Sequence, residues 1–440
     1  MALGEEIFRS GSSSDGEVRA GILVTGTEVL TATIRDENGP WLSQQLSDLG
    51  IELVEILVVA DHPGDLASGL EHMKSVGIDL IVTTGGLGPT ADDLTAEVVA
   101  AFAGREMKLD EAMEARIAAI LARFAASANL DLSTDALNEA NRKQAMIPVG
   151  AVALNPVGTA PGLIVTQSSG DGPLVLVLPG PPRELRPMWD VALKEPMLCE
   201  LLDRATRLRK YRLRMFGTPE SELAMSLREI EKGGLSFDGL EITTCLRKGE
   251  VEVDVRYRDA AEESAVRLRQ ELKARHSRSL YSLDGRTVDE VVAGLLAGRR
   301  LALAESCSAG LLAARIADVP GSSDYFAGGV VSYSNEAKKD LLGVDQALLE
   351  EFGAVSAEVA EAMAVGALER FDADVSVSIT GIAGPGGGSE EKPVGLVHFN
   401  VRTAEGGVRA AAPVIPGGRR DVRERSALVA MHLLREMLDG

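Results

Sequence analysis

The chain has 440 residues, of which 45% are hydrophobic and 25% charged, which is enough for two or three globular domains. Its formal net charge of −21 disfavours nonspecific binding to nucleic acid or to an acidic membrane, since both carry negative charge. Three scattered cysteines favour a reducing cytoplasm without a disulfide framework, and no apolar run approaches the ~20 residues of a membrane span. We therefore expect a cytoplasmic protein with no membrane and no nucleic-acid partner.

The first part of the chain reads as a polar tail followed by alternating strands and helices. Residues 1–17 are rich in serine and glycine and have no apolar signal segment, so we predict a disordered tail. The alternation after the tail predicts an α/β domain over 18–190 with a mainly parallel sheet, whose ligand crevice lies at the carboxyl ends of the strands. Strands are predicted over 18–24, 51–60 and 79–84, and helices over 38–49 and 65–76.

A glycine loop after the third predicted strand is the first candidate site. Its glycines, Gly85, Gly86 and Gly88, would allow a phosphate to approach the backbone, and a helix expected to start near Asp92 would point its N-terminus there. Asp92 and Asp93 offer hard oxygen ligands that suit Mg²⁺ or Mn²⁺. A structural alternative makes Asp92 the helix N-cap and the glycines a turn. Two more rigid loops are expected to wall the same crevice, at 155–162 and 178–185.

Residues 205–283 have a different pattern and show no constellation of catalytic residues. Period-two alternation predicts strands over 210–216 and 250–258, and helices are expected over 220–231 and 261–276. We interpret this stretch as a small α+β module that spaces or docks its neighbours.

The last part, 286–440, alternates strands and helices again and predicts a second α/β domain. Its first strand runs into the polar turn Glu305-Ser306-Cys307-Ser308, which a slim helix follows. Such a turn lifts a hydroxyl or thiol above the sheet edge and aims unpaired helix N–H groups at an anion. The structural alternative is a βα turn with a serine N-cap. Further elements are expected as strands at 326–332 and 374–380, a helix at 356–371, a hairpin over 394–414 and a closing helix at 419–438.

The strand ends of this domain carry Ser306, Tyr333 and Lys338, and parallel strands bring such ends to one edge of the sheet. A serine needs a base to attack a carbonyl, and the two histidines of the domain lie in a strand and in the closing helix. A lysine that burial makes neutral can serve, with a tyrosine positioning the proton. Two alternatives stay open: Lys338 belongs to a solvated helix face, or Cys307 is the nucleophile, as a thiolate rather than a small buried residue.

Long motifs resemble the CinA family, in order, from about Ala20 to the end of the chain. The C-terminal domain of that family is matched by AESCSAG, GGVVSYSNEAK and SITGIAGPGGGSEEKPVG, and its N-terminal, molybdopterin-binding-like domain by GTEVL, GGLGPTADDLT, NPVGTAPG and LPGPPREL. Residues 205–283 are similar to its KH-type connecting module, although no basic GxxG stretch supports RNA binding. The resemblance implies an α/β protein with two mainly parallel sheets joined by a small α+β KH-like module.

For the C-terminal domain, the resemblance implies a nicotinamide-nucleotide amidase. It would convert nicotinamide mononucleotide and water to nicotinic acid mononucleotide and ammonia without a cofactor. The nucleophile of the family falls on Ser306, and its tyrosine and lysine fall on Tyr333 and Lys338. The family usually has threonine and glycine where this chain has Ser308 and Ala309, and the methyl group at 309 is expected to narrow a close-approach site. Substrate contacts are implied at Ser308, Gly310, Asn335, Gly381, Ala383, Gly384 and Arg419.

For the N-terminal domain, the resemblance implies metal-dependent hydrolysis of ADP-ribose to AMP and ribose 5-phosphate, with Mg²⁺, Mn²⁺ or Co²⁺ held by Asp92 and Asp93. The family also implies a homodimer. Two other hypotheses stay open: a molybdopterin-handling enzyme that uses only the N-terminal fold, and a non-enzymatic nucleotide-binding protein linked to competence or DNA damage. Nucleotide contacts are implied at Gly26, Thr27, Glu28, Gly85, Gly86, Gly88, Thr90, Gly158 and Thr159.

Overall fold

A computed structural model gives the architecture of most of the chain. The tail predicted over 1–17 lies outside the described residues, and the three-domain division stays a prediction. The chain forms two compact units, Met1–Leu208 and Arg209–Gly440. The described residues are 18–128, 134–205, 208–247 and 249–440.

The first unit is built around one six-stranded sheet, which the predicted alternation of strands and helices anticipates. The strand order is β2-β1-β3-β8-β7-β6, in which the first four strands run parallel, β7 is antiparallel to β8, and β6 is antiparallel to β7. The elements are β1 Arg19–Thr25, α1 Thr27–Leu30, α2 Asn38–Asp48, β2 Glu52–Val59, α3 Pro63–Ser75, β3 Leu80–Thr84, α4 Thr95–Phe102, β4 Met107–Leu109, α5 Glu111–Ala128, α6 Thr134–Gln144, β5 Met146–Pro148, β6 Val152–Leu154, β7 Gly162–Val165, β8 Leu174–Leu178, α7 Pro182–Ala192 and α8 Pro196–Asp203.

The core of this unit covers both faces of the sheet. The central strands β3 and β8 are buried along their whole length, as the apolar sequences LIVTT and LVLVL require of strands that helices cover on both sides. The chain leaves β1 on one side to form β2 and then crosses to the other side to form β3. This reversal opens a crevice at the carboxyl ends of β1 and β3.

The second unit contains two sheets. One is a four-stranded antiparallel sheet of order β10-β11-β9-β12, and the other has the order β14-β13-β15-β16-β17, with its first three strands parallel. The elements are β9 Arg209–Phe216, α9 Glu220–Lys232, β10 Leu240–Arg247, β11 Glu250–Tyr257, α10 Glu262–Arg275, β12 Leu280–Ser282, α11 Val288–Leu295, β13 Leu301–Glu305, α12 Leu311–Ala317, β14 Phe326–Val331, α13 Asn335–Leu342, α14 Gln346–Phe352, α15 Ala357–Phe371, β15 Val375–Gly381, β16 Val397–Thr403, β17 Val408–Ala411 and α16 Arg419–Asp439.

The α/β fold class is confirmed in both units. The hairpin predicted over 394–414 is β16 and β17, and Ser356 is the N-cap of α15 as expected. Strands β10 and β12 of the middle sheet were not predicted. Strand β10 is an edge strand whose side chains are mostly exposed, so its sequence has little of the apolar alternation that marks a half-buried strand.

Two helices of the second unit are held close together and so fix the position of α13. A Cβ atom at Gly366 of α15 would overlap the carbonyl oxygen of Leu342 at the end of α13, so only glycine allows this approach. The strand below is tied to α15 by Ser376, whose hydroxyl donates to the Ala364 carbonyl at 2.7 Å. Helix α13 is therefore packed tightly against α15.

Candidate active site

Ser306 stands at the carboxyl end of β13, in the turn that leads to α12. Its N–H donates to the carbonyl of Ile379 on the neighbouring strand at 2.9 Å, and its side chain is almost fully buried. Ala309 has a φ of 52° and Gly310 a φ of 88°, which makes the turn sharp. A left-handed conformation costs an alanine roughly 1 kcal/mol, so the turn is strained at the position where the family usually has glycine.

Glu305, which the sequence did not suggest as a site residue, holds this turn. Its buried carboxylate accepts hydrogen bonds from the N–H groups of Gly310 at 2.9 Å, Leu312 at 3.1 Å and Ala313 at 2.7 Å. These are the N–H groups at the start of α12 that we expected to face an anion. The expectation that they bind an anionic ligand is wrong, because they already donate to the Glu305 carboxylate. The signal was a glutamate at the end of an otherwise apolar strand, directly before a helix.

Lys338 meets Ser306 from α13. Its Nζ lies 3.0 Å from Ser306 Oγ and donates to the Ser332 carbonyl at 2.8 Å, and the side chain is 1% exposed. Burial lowers the pKa of Lys338, and the nearby Cys307 thiol opposes that shift only partly. The alternative that Lys338 lies on a solvated helix face is therefore wrong, and a neutral amine can accept the serine proton.

Tyr333 is placed differently from what the predicted trio suggests. Its side chain is 55% exposed, and its hydroxyl accepts a hydrogen bond from Nη2 of Arg419 at 2.6 Å. Nη1 of Arg419 donates to the Gly384 carbonyl at 2.8 Å, so the arginine joins the tyrosine to the glycine loop after β15. Among the described residues, no hydrogen bond joins the Tyr333 hydroxyl to Ser306 or Lys338. The structure thus gives a serine–lysine pair with a tyrosine–arginine pair.

The other predicted contacts are distributed around this centre. Ser308 is fully buried and its Oγ has no hydrogen-bond partner within the described part of the chain. Asn335 is exposed in the first turn of α13, and Gly381 ends β15. The sequence analysis missed Arg423, whose guanidinium donates to the carbonyls of Cys307 at 3.2 Å and Ser308 at 3.0 Å. Its spacing of four residues from Arg419 on one helix was the available signal.

Cys307 is buried beside the serine and is a poor nucleophile. Burial raises the pKa of its thiol to about 11, so the reactive thiolate is scarce at neutral pH. We expect Cys307→Ala to change the rate of any hydrolysis at this site by less than about threefold. The carbonyls of residues 307 and 308 still accept hydrogen bonds from the Arg423 side chain in this variant. Steady-state rates of the variant and of Cys199→Ala, an exposed cysteine of the first unit, provide the comparison. If Cys307→Ala loses activity and Cys199→Ala does not, the nucleophile is the Cys307 thiol.

The first unit has its own candidate site, a cavity of about 660 Å³ at the carboxyl ends of β1 and β3. The two loops predicted to wall the crevice do so, through Thr159 and Ala160 and through Pro179–Pro182. Four of the predicted residues do not line it: Gly26, Thr27, Thr90 and Gly158. Those that do are Glu28, Gly85, Gly86, Gly88, Asp92, Asp93 and Thr159.

The glycine loop is shaped by packing as well as by any ligand. A Cβ atom at Gly85 would overlap the Thr25 carbonyl, and one at Gly86 would overlap Thr95 Oγ1. Helix α4 begins at Thr95, so its expected start near Asp92 is wrong, and Asp92 is not its N-cap. Backbone pairing explains this, because the Thr95 N–H donates to the Gly86 carbonyl at 3.1 Å and closes the loop before the helix begins.

The two aspartates are organised by Thr90. Its Oγ1 lies 2.5 Å from Asp92 Oδ1 and 2.6 Å from Asp93 Oδ2, so one hydroxyl proton is shared between the two carboxylates, and its N–H donates to Asp93 Oδ2 at 2.9 Å. The Thr90 hydroxyl holds the pKa of Asp92 below its usual value, so that carboxylate is ionised. In the part of the chain that the structure describes, no cluster of three or more metal-binding side chains occurs. Two carboxylates still fit Mg²⁺, which commonly takes its other ligands from phosphates and water.

The cavity is strongly acidic, and the sequence analysis missed the residue that ties its walls together. Asn38 donates from Nδ2 to Thr84 Oγ1 at 2.9 Å and to the Gly180 carbonyl at 2.6 Å, so it joins the end of β3 to the Pro179–Pro182 loop. The only basic lining residue among those described is Arg35. A polyanionic ligand would therefore need a cation to offset the lining carboxylates, which are Glu28, Asp36, Glu37, Asp61, Asp92, Asp93 and Glu184.

Fold and sites together define a multidomain α/β protein with an acidic crevice in its first unit and a buried serine–lysine pair in its second. Residues 21–199 match the family model described as a probable molybdopterin binding domain, and residues 286–438 match the CinA C-terminal domain. The chain belongs to the CinA family. No helix within the described ranges is both long and apolar enough to span a bilayer.

The similar proteins extend over nearly the whole chain. A CinA-like protein of Mycolicibacterium paratuberculosis is 55% identical over 430 residues, which cover 96% of this chain and 98% of the relative. A CinA-like protein of Mycobacterium tuberculosis is 53% identical over 424 residues, with 96% and 98% covered. Among solved structures, the competence/damage inducible protein CihA from Agrobacterium tumefaciens is 39% identical with a TM-score of 0.34, and the match covers 36% of this chain and 99% of that one.

Proposed function

We propose that the second unit is a nicotinamide-nucleotide amidase that hydrolyses nicotinamide mononucleotide to nicotinic acid mononucleotide and ammonia. One observation carries the proposal: the Nζ of buried Lys338 lies 3.0 Å from Ser306 Oγ. A serine paired with a neutral lysine is suited to acyl transfer from an amide. The resemblance supplies the substrate, because a serine–lysine pair by itself fits many acyl compounds.

In the proposed mechanism, Lys338 takes the Ser306 proton as Oγ attacks the carboxamide carbon. The C–N bond then breaks, Lys338 returns the proton to the departing nitrogen, and ammonia leaves an acyl-serine. Water then attacks the acyl-serine and gives a proton to Lys338, the acyl C–Oγ bond breaks, and Lys338 returns the proton to Ser306 Oγ. The acid product is released and ionises to the carboxylate. Glu305 already takes the first N–H groups of α12, so we assign the oxyanion to the N–H groups of Cys307 and Ser308. Neither makes a backbone–backbone hydrogen bond within the described structure.

Ammonia release from nicotinamide mononucleotide by the full-length chain tests this function. We expect release that a chelator leaves unchanged, because the serine–lysine mechanism uses only groups of the protein and no metal ion. Nicotinamide riboside, which lacks the phosphate, serves as the comparison, with Arg419 and the glycine loop at Gly381–Gly384 proposed to bind the phosphate side. No ammonia from the nucleotide would reject the amidase and favour the non-enzymatic nucleotide-binding alternative.

For the first unit we propose metal-dependent hydrolysis of ADP-ribose to AMP and ribose 5-phosphate. Asp92 and Asp93 would hold a divalent cation such as Mg²⁺, Mn²⁺ or Co²⁺, with Thr90 orienting both carboxylates. When bound, the cation would neutralise the diphosphate and polarise its phosphorus–oxygen bonds. Burial raises the pKa of Glu184, which lines the same cavity. We place both activities in the cytoplasm, with small nucleotides as partners and a homodimer as the assembly.

Asp93→Asn is expected to reduce AMP formation from ADP-ribose by at least about 100-fold, since it removes one of two charged metal ligands. Asp92→Asn should behave in the same way, and a chelator should abolish the wild-type rate. Asp171→Asn is the matched control, because Asp171 is an exposed acid of the same unit that does not line the cavity. A rate that survives the chelator would show that the metal assignment is wrong.

A further inference from the structure

The four-stranded sheet of the second unit, with its helices, is called the middle module here and covers residues 209–283. It contacts α16 through a buried polar cluster. Glu250, the first residue of β11, accepts hydrogen bonds from His432 Nε2 at 2.9 Å and from the Tyr281 hydroxyl at 2.7 Å. The ring of Phe216 stacks on the His432 imidazole with centroids 3.7 Å apart and planes inclined by 7°. Three residues of the module thus enclose one histidine of the closing helix.

The residues of α16 that make this contact are buried. His432 is 1% exposed and Arg435, one turn further along α16, is 7% exposed, with its guanidinium 5.4 Å from the centre of the Tyr281 ring. Phe216 and Tyr281 also pack against the apolar core of the five-stranded sheet. Burial lowers the pKa of His432, so a neutral imidazole donates to Glu250. Without the module, α16 would expose a histidine and an arginine that fold against it.

The same helix reaches the serine turn at its other end. Nε and Nη2 of Arg423 donate to the carbonyls of Cys307 and Ser308, the two residues that follow Ser306. Residues 423 and 432 are nine positions apart, which corresponds to about 14 Å along a helix axis. A rigid helix therefore joins the contact with the module to the turn that presents the nucleophile.

The turn needs such support. Ala309 adopts the left-handed conformation, and the carbonyls that Arg423 holds lie between it and the nucleophile. Glu305 fixes the N–H groups on the helix side of the turn, whereas Arg423 fixes its carbonyls. A shift of about 1 Å in a reacting group is enough to cost up to about 100-fold in rate.

We propose that Arg423 is a positioning residue of the serine site and that the middle module, by holding α16 through His432, holds Arg423 in place. The proposal rests on the proposed amidase function for its substrate, but not for its geometry. The middle module then affects the reaction rate through α16, from outside the site. Neither the module nor Arg423 contacts the reacting atoms in this scheme.

The first test uses the full-length chain and nicotinamide mononucleotide. Glu250→Gln removes the charge that His432 and Tyr281 share, and we expect kcat to fall about 10-fold with KM within about twofold. Glu241→Gln, at an exposed glutamate of the neighbouring strand β10, is the matched control and should leave kcat unchanged. Equal effects of the two substitutions would overturn the proposal.

The second test asks whether the effect passes through Arg423. Arg423→Ala is expected to lower kcat by about 10- to 100-fold, and added methylguanidinium should restore part of it, which a purely structural loss would not allow. In that background Glu250→Gln should have no further effect. A full 10-fold additional loss would show that the module acts independently of Arg423. Arg423→Lys, which keeps the charge but not the two-donor fork, reports the same step if the alanine variant does not fold.

A third readout separates this proposal from the amidase function. A fluorophosphonate probe labels a reactive serine irrespective of the natural substrate, and mass spectrometry gives the labelling rate of Ser306. We expect Glu250→Gln and Arg423→Ala to slow labelling about as much as they lower kcat. If the wild type releases no ammonia but both substitutions slow labelling, the amidase is rejected and the positioning role stands. Unchanged labelling rates would reject the positioning role.

Discussion

Replacing Ser306 by alanine is expected to reduce ammonia release from nicotinamide mononucleotide by at least ~100-fold, the scale seen when a nucleophile is deleted. The substitution removes Oγ from a nearly buried position and leaves Lys338 with its bond to the Ser332 carbonyl. The turn also keeps the hydrogen bond that its Gly310 N–H donates to Glu305 and the one that its Cys307 carbonyl accepts from Arg423. The fold should therefore survive while the reaction is lost, which thermal unfolding and an ammonia assay can show side by side.

Ser376→Ala is the matched control for that experiment. Ser376 is a fully buried serine of the same sheet whose hydroxyl donates to the Ala364 carbonyl. Its loss should cost about 1 kcal/mol of stability and leave the rate of ammonia release nearly unchanged. If Ser306→Ala releases ammonia like the wild type, the nucleophile lies elsewhere, with Cys307 as the first candidate.

The second large effect is expected for Lys338→Met, which removes the base but preserves the length of an apolar stem. Ammonia release should fall by at least about 100-fold, since the substitution removes the nitrogen that lies 3.0 Å from Ser306 Oγ and takes its proton. Stability near neutral pH should stay the same or rise, because burial penalises a charged lysine and methionine carries no charge. Loss of activity with retained or increased stability distinguishes a catalytic lysine from a structural one.

The pH dependence has a definite sign. Burial lowers the pKa of Lys338 in the folded state, so the activity of the wild type should rise with pH through that lowered value as the amine becomes neutral. Stability should also rise with pH up to the ordinary lysine pKa, because the unfolded chain holds the extra proton over that range. Both slopes should disappear in Lys338→Met and persist in Lys339→Met, at the exposed neighbouring lysine. Identical profiles in the two variants would contradict the assignment.

The sequence patterns predicted those site residues whose positions follow from their order in the chain and from the geometry of the strands. Ser306 at the end of β13 and Lys338 in the first turns of α13 follow from the rule that parallel strand ends share an edge. Tyr333 was grouped with them by the same strand-end rule and by the family resemblance, yet its hydroxyl pairs with Arg419 from the last helix of the chain. Arg423 was missed for a similar reason, since its contacts join α16 to a turn more than 100 residues earlier. Glu305 was missed although its contacts are local, because its carboxylate binds backbone N–H groups five to eight residues further along the chain.

The first unit shows a similar division. Strands β1 and β3 were predicted well, because their apolar runs and flanking glycines are strong local signals. The start of α4 was misplaced by three residues, because Thr90 binds both aspartates in a turn and competes with helix formation. The acidic character of the cavity could not be predicted either, since its carboxylates come from separate loops.

The hydrogen bonds that Glu305 accepts affect how tightly the product would be held. The proposed reaction turns an uncharged amide into an anion beside Ser306. The N–H groups at the start of α12 are already bound to the Glu305 carboxylate, so the newly formed carboxylate gains no attraction from that helix terminus. Nicotinic acid mononucleotide should consequently inhibit weakly, and turnover should not be limited by its escape.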